Sequence, residues 1–347
     1  MFDFSRTPRY NPPMTVYSYS RINTFFTCPA QFQYRYLLKT PSPLPQGIEL
    51  FLGSRFHESM EYLYQQVPKR IPTVNEMMDH FKTHWDKHWQ TALQKQKEMN
   101  FNTPLRIVRE GQTVEDYFEK GQLFLENYYH QYHPFDQDQT VGIEMRVAFD
   151  LDEKKQYKMQ GFIDRLGRDE EGTLWIHDYK TSAQKMSSED VKSEDQLALY
   201  QIGLLQNPKF SAKEKIKLIW HFVAFEKDQV IGERNPKEIE WLKQKYVSKI
   251  KTIESAKDFS PKTSALCGWC EYLPICEEGK KAVENRRKKK EESNGSPSTV
   301  ASAVETPEPM KPAPVEAPVG AAAPAVKPIR NRRSSFKPVN PDQLPLF

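Results

Sequence analysis

Cysteine is scarce in this chain of 347 residues: there are four, at positions 28, 267, 270 and 276. So few, and so clustered, they exclude a disulfide scaffold. No stretch approaches the roughly 20 apolar residues that a membrane span needs. The opening MFDFSRTPRYNPP lacks the basic-then-apolar order of a secretory signal. The chain therefore reads as cytoplasmic. No Walker A loop is present, so nothing points to a helicase or ATPase module, and no internal repeat points to a solenoid. Hydrophobic residues make up only 38%, and mean hydropathy is −0.75. Both values are low for one compact globule and predict that part of the chain stays unfolded. A strong overall charge is lacking too. The net charge is +4, but residues 285–347 hold eleven Lys and Arg against six Asp and Glu, which leaves the body at −1. Bulk charge thus gives no argument for nucleic-acid binding, which would need a local groove.

What is present centres on GFIDRLGRDEEGTLWIHDYKTS, residues 161–182. Residues 159–166 and 174–181 have strand-like content, and the polar run between them carries a glycine suited to a turn, so the stretch predicts a β-hairpin. Residues two apart in a strand share a face. Asp178 and Lys180 therefore point one way with Ile176, while His177, Tyr179 and Thr181 point the other. Asp164, near the end of the preceding strand, can lie across from that pair. Two carboxylates and a lysine on one face suit a hard divalent cation with oxygen ligands. Such a cation polarises a phosphoryl oxygen and generates hydroxide, while Lys180 orients the water or balances charge on the phosphate. Taken alone, the same residues also fit a solvated hairpin whose charges merely face water.

The neighbouring motifs decide between these readings. Gly161-x-x-Asp164-Arg165, then Asp178-Tyr179-Lys180-Thr181, then Gln196-x-x-x-Tyr200 in DQLALYQIGLL together resemble the RecB-like branch of the PD-(D/E)XK nucleases. The resemblance implies that Asp164 and Asp178 bind Mg²⁺ or Mn²⁺, that Lys180 is catalytic, and that Gln196 and Tyr200 support the site. Upstream, Gly53-x-x-x-His57 resembles the first motif of the same branch, which makes His57 a metal ligand; Tyr179 completes that set. A lone helical histidine is otherwise more often structural.

Around this centre the chain reads as mixed α/β. Ser18 or Ser20 caps a short helix with Ile22, Phe25 and Phe26 on its apolar face, and Pro29 interrupts it, with Cys28 at the break. A second helix repeats Phe56, Met60 and Tyr64 at four-residue intervals. Helices over about 74–99 and 113–133 carry aromatic stripes (Phe81, Trp85, Trp89; Tyr117, Phe124, Tyr128) that are most simply packing. His80, His84 and His88 also recur at four, but with no cysteine beside them they read as an exposed flank. VGIEMRVAFDL alternates as a strand, with Glu144 opposite the apolar row and available to the metal site or its surroundings. KIKLIWHFVAF is a further strand, and a helix follows from Pro236 to about Ala256. Helix, three strands, helix, strand is the layout of the nuclease family: a restriction-endonuclease-like mixed sheet flanked by helices.

Four thiolates suit a structural zinc or an iron–sulfur cluster. One cysteine before the nuclease core and three behind it, in LCGWCEYLPIC, resemble the iron–sulfur nucleases among AddB subunits and CRISPR-associated RecB-like exonucleases. That resemblance implies a [4Fe–4S] cluster on Cys28, Cys267, Cys270 and Cys276, joining the ends of a nuclease domain over residues 1–284. Residues 285–342 form a basic, then Pro- and Ala-rich linker with too little apolar content to order itself. The last five residues, QLPLF, resemble the bacterial sliding-clamp-binding motif, with Gln343, Leu344, Leu346 and Phe347 as its contacts. A flexible tail of this length spans about 45 Å. The combined reading is a metal-dependent DNA exonuclease, acting on single strands or ends and tethered to the clamp. A CRISPR-adaptation nuclease and a non-catalytic DNA-binding adaptor on the same fold are the alternatives.

Overall fold

A computed structural model describes residues 16–294, apart from 188, 211–212 and 226–228. Ser18 caps the first helix, α1 (Tyr19–Thr27), by accepting from the Arg21 N–H at 3.1 Å. Cys28 then adopts an extended conformation between α1 and α2 (Pro29–Phe32), whose proline sits at the helix start where its missing N–H costs nothing. A π-turn, Gln33–Leu37, continues α2. Three longer helices follow: α3 (Ile48–Gln66), α4 (Val74–Met99) and α5 (Val114–Tyr132). Capping boxes Thr73/Glu76 and Thr113/Asp116 start α4 and α5, each such cap contributing about 1 kcal/mol.

The five strands are β1 (Gln139–Asp150), β2 (Lys158–Arg168), β3 (Leu174–Lys180), β4 (Ile216–Phe222) and β5 (Gln229–Gly232), hydrogen-bonded in that order. All neighbours are antiparallel except β3 and β4, which run parallel. Parallel neighbours need a crossover, supplied here by α6 (Asp190–Ser193) and α7 (Gln196–Gln206). Every residue from Leu197 to Leu204 of α7 is buried, the mark of a helix enclosed on all sides. After β5 come α8 (Pro236–Ser255), the cysteine loop, and α9 (Glu277–Asn294), so helix continues past residue 284.

The sheet separates two apolar cores. One joins Ile163 and Ile176 to α1, α7 and α8. The other joins Tyr179 to α3, α4 and α5, and it contains the aromatic stripes Phe81, Trp85, Tyr117, Phe124 and Tyr128, with Trp89 packed on its edge. Two features depart from the sequence reading. Strand β5 is only four residues long, too short to show a period. Strand β1 does not alternate cleanly: its register shifts between Thr140 and Gly142, and Glu144 takes a left-handed φ of 45°. Among the described residues, no helix is long and apolar enough to cross a membrane.

Candidate active site

The β2–β3 ladder stops one rung short of the carboxylates. Its last pair is Arg165 with His177, and the next rung would have set Asp164 against Asp178. Asp164 thus lies in mid-strand rather than near the strand's end, but at the limit of the paired region. In the opening, Asp164 Oδ2 accepts the Tyr179 N–H at 3.0 Å. This bond fixes the carboxylate through the backbone of the neighbouring strand. The Tyr179 carbonyl meets His57 Nε2 at 2.9 Å, and His57 Nδ1 lies 3.4 Å from Asp164 Oδ2. Helix α3 brings His57 here, and Gly53, one turn earlier, faces Thr181, whose hydroxyl a Cβ would meet at an ordinary contact distance of 3.4 Å.

Asp178 and Lys180 share the face that period two predicts. Lys180 Nζ donates to Asp178 Oδ1 at 3.0 Å and to Gln196 Oε1 at 3.3 Å, and Gln196 Nε2 donates to the Tyr200 hydroxyl at 3.2 Å. Gly161 is required by the ring of Tyr200, which a Cβ at that position would meet at 2.1 Å. The glycine and the tyrosine of the two motifs are therefore one packing unit. The second oxygen of Asp178 is different. It lies 2.7 Å from Lys180 Nζ but outside hydrogen-bonding alignment, so this buried oxygen has no hydrogen-bond donor. The ammonium meets it as an ion pair without an aligned hydrogen bond, so a divalent cation here would compete with Lys180 for this oxygen.

Electrostatics follow from this geometry. Burial opposes the charge on Lys180, but the Asp178 carboxylate outweighs it and holds the ammonium protonated beyond its ordinary range. Burial raises Asp178, Lys180 pulls it back, and Asp164 raises it again. For His57, burial lowers the pKa, but the hydrogen bond and charge of Asp164, then the charge of Asp178, push it up to about 9. A proton on His57 must leave before the ring can hold a metal.

Ligand atoms of His57, Glu144 and Asp164 lie within 4.8 Å of one another. The left-handed φ of Glu144 is a backbone conformation that costs a non-glycine residue about 1–3 kcal/mol. These donors fit a divalent cation, and the Asp178 carboxylate stands beside them, paired with Lys180.

Two groups escaped the sequence reading. Glu194 is raised by burial and accepts the Gln196 N–H at 2.9 and 3.0 Å, close enough to Lys180 to add to its charge balance. Beneath the site lies a buried polar network. Arg165 pairs with Asp138, stands 4.0 Å from the Tyr64 ring, and donates from Nε to the Tyr179 hydroxyl at 3.2 Å. His177 bonds Asp138 at 3.0 Å and His221 at 2.9 Å. Burial and then the Arg165 charge hold His177 down at about 3, so it is a neutral hydrogen-bonding partner and Arg165 is the true counter-charge of Asp138. The Asp-Arg dipeptide was the available signal, but Asp138 lies outside every motif.

The cysteines form a separate centre. Cys28, Cys267, Cys270 and Cys276 all line one cavity of about 40 Å³. Arg106 donates to the carbonyls of Trp269 and Cys270, and Tyr272 donates to the Thr40 carbonyl at 3.0 Å, which ties the C-terminal loop to the N-terminal part. Backbone N–H groups of Ser264 and Gly279 point at the sulfurs of Cys267 and Cys276, both at 3.3 Å. Burial pushes Cys270 up to about 11 and raises Cys276 as well. Gln343, Leu344, Leu346 and Phe347 lie outside the described residues.

No curated protein matches this chain. Residues 16–277 match the PD-(D/E)XK nuclease superfamily, whose members are generally nucleases that use divalent metals. The matched span takes in all five strands, the parted β2–β3 ladder and its carboxylates, and it covers well over half of the chain: this protein belongs to the PD-(D/E)XK nuclease superfamily.

Proposed function

We propose that the chain is a metal-dependent DNA exonuclease of the RecB-like kind. One observation carries this reading: Asp164, Asp178 and Lys180 converge where two strands part, and among the described residues the buried carboxylate oxygen that no aligned hydrogen bond reaches belongs to Asp178, 2.7 Å from the Lys180 ammonium. His57, Asp164, Asp178 and the Tyr179 carbonyl would hold Mg²⁺ or Mn²⁺, with Glu144 close enough to join them. When bound, the ion supplies a polarised phosphoryl oxygen and an acidified water. The chain's own residues do the rest. Asp164, pinned by the Tyr179 N–H, keeps its position as charge moves. Lys180 has three donors; Asp178 and Gln196 engage it from two sides, leaving a donor for the attacking water or a phosphate oxygen. Tyr200 and Gln196 hold Lys180 in place through a relay that begins at Gly161.

The cysteine centre would hold a [4Fe–4S] cluster. All four sulfurs line one cavity. Four thiolates drawn from both ends of the domain are a ligand set that such a cluster takes, in the arrangement that resembles the iron–sulfur nucleases. The QLPLF end would dock on a bacterial sliding clamp through Leu344, Leu346 and Phe347, with Gln343 fixing orientation. Such docking would favour work in repair or replication over CRISPR adaptation. End-labelled single- and double-stranded DNA, incubated with Mg²⁺ or Mn²⁺, tests the activity. Mononucleotide or short-oligomer release from an end supports it; no metal-dependent hydrolysis of either substrate refutes it.

A further inference from the structure

Away from this site, α4 carries His84 and His88 one turn apart, and both reach Glu58 of α3. His84 Nδ1 lies 3.1 Å from Glu58 Oε2, and His88 Nε2 lies 3.5 Å from Glu58 Oε1. All three ligand atoms fall within 4.8 Å of one another. A tetrahedral ion with bonds of about 2.05 Å sets neighbouring donors about 3.4 Å apart, and each histidine nitrogen lies near that distance from one of the two Glu58 oxygens. Hydrogen bonding accounts for the first distance only, since 3.5 Å is long against an ordinary N–H···O bond of about 2.9 Å. The histidine row read as a bare flank in sequence because its third donor comes from another helix.

The donors are held in place by their surroundings. Arg55 forks onto Glu58, Nε to Oε2 at 2.7 Å and NH2 to Oε1 at 2.6 Å. A carboxylate offers about four lone-pair sites, so the fork leaves an outward one on each oxygen. The His84 ring is stacked on His80, and His80 on Tyr62, each at 4.2 Å. Such outer partners orient metal ligands and fix ring planes.

We propose that Glu58, His84 and His88 bind a divalent transition-metal ion of the zinc class, which clips α3 to α4. Two imidazoles and one carboxylate suit such an ion and not Mg²⁺, which takes oxygen. Water fills the fourth position. Glu58 follows His57 in α3 and points about 100° round the helix from it. The clip therefore steadies the helix that presents His57 to the active site, without sharing a ligand with that site. The inference stands apart from the nuclease reading and survives its failure.

Zinc itself is the probe. The full chain, purified without oxygen so that its cysteine centre stays intact, is treated with chelator and dialysed against Zn²⁺. The Asp164→Asn/Asp178→Asn background silences the active-site carboxylates. That protein should bind one zinc, with only nitrogen and oxygen neighbours in zinc-edge X-ray absorption, and its thermal midpoint should rise when zinc is added. Adding His88→Gln should remove that zinc and the rise, while the melting temperature in chelator stays the same; His84→Gln is the second variant should the first misfold. Equal zinc in the His88→Gln protein, or a zinc bound only by sulfur, overturns the proposal.

Discussion

Gly161 and Tyr200 show how a motif position acquires its meaning from packing. The ring of Tyr200 occupies the space a Cβ would need, and its hydroxyl accepts from Gln196, which in turn accepts from Lys180. Gly161→Ala must push the ring away, at a cost of about 1–3 kcal/mol for overpacking. It should lower the urea midpoint and the cleavage rate together. Shrinking the ring in a Gly161→Ala/Tyr200→Leu protein should recover the stability but not the rate, since the hydroxyl is gone. Full recovery of the rate would mean the relay does nothing. At this scale much was legible in sequence. Period two alone set Asp178 and Lys180 on one face, and the spacing Gln196-x-x-x-Tyr200 set those two side chains one helical turn apart. Glu194 was not legible, because its role comes from burial that the fold creates, and one acidic residue among many carries no local signal.

At the scale of elements, the sheet works on both faces. One presents the carboxylates; the other buries Asp138, Arg165, His177 and His221 beneath them, joined to Tyr179 through its hydroxyl. This arrangement fixes how stability depends on pH. His177 is held down at about 3 against an ordinary 6.5. The unfolded chain takes up that proton below about 6.5 and the folded one does not, so stability falls as pH drops from 6.5 toward 3. For Asp138, burial raises the pKa, but the His177 hydrogen bond and the Arg165 charge carry it well below the usual carboxylate range. Its contribution is complete above about 4 and is lost as pH falls further. Both signs agree. His57 works on the alkaline side: raised to about 9, it stabilises fully below about 6.5 and loses that contribution as pH rises through 9. Urea midpoints measured from pH 4 to 10 should therefore peak near pH 6.5, and His177→Gln should flatten the acid limb. An acid limb of unchanged slope in that variant would contradict the account. The order of the longer helices and strands was readable from periodicity, as was the start of α8 at Pro236, and Ser18, one of the two serines read as a cap, caps α1. Strand β5 and the β1 irregularity at Glu144 were not, since four residues show no period and a left-handed glutamate has no sequence mark.

At the scale of the molecule, the cysteine centre draws on both ends of the domain. Cys28 sits between the first two helices, and its three partners lie beyond α8. A cluster joining positions so remote in sequence would stabilise the folded domain by several kcal/mol, on the order of the cost of closing so long a loop. Anaerobically purified protein should be brown with about four irons per chain, and Cys28→Ala should lose both the colour and a large part of the thermal stability. Stoichiometric zinc without iron, in unreconstituted protein, would contradict the cluster. Deleting residues 343–347 should abolish binding to a bacterial sliding clamp in surface plasmon resonance while leaving cleavage of free oligonucleotides unchanged; equal clamp binding by the two proteins would refute the docking role. The central claim is that Asp164, Asp178 and Lys180 form one hydrolytic site. It is tested most directly by single-turnover cleavage of end-labelled DNA, with DNA binding measured in parallel, for the parent and for Lys180→Ala. The account predicts a rate lower by about 10²–10³-fold or more with binding largely kept, and a Lys180→Ala protein that digests DNA at the parental rate would show the site to be wrongly assigned.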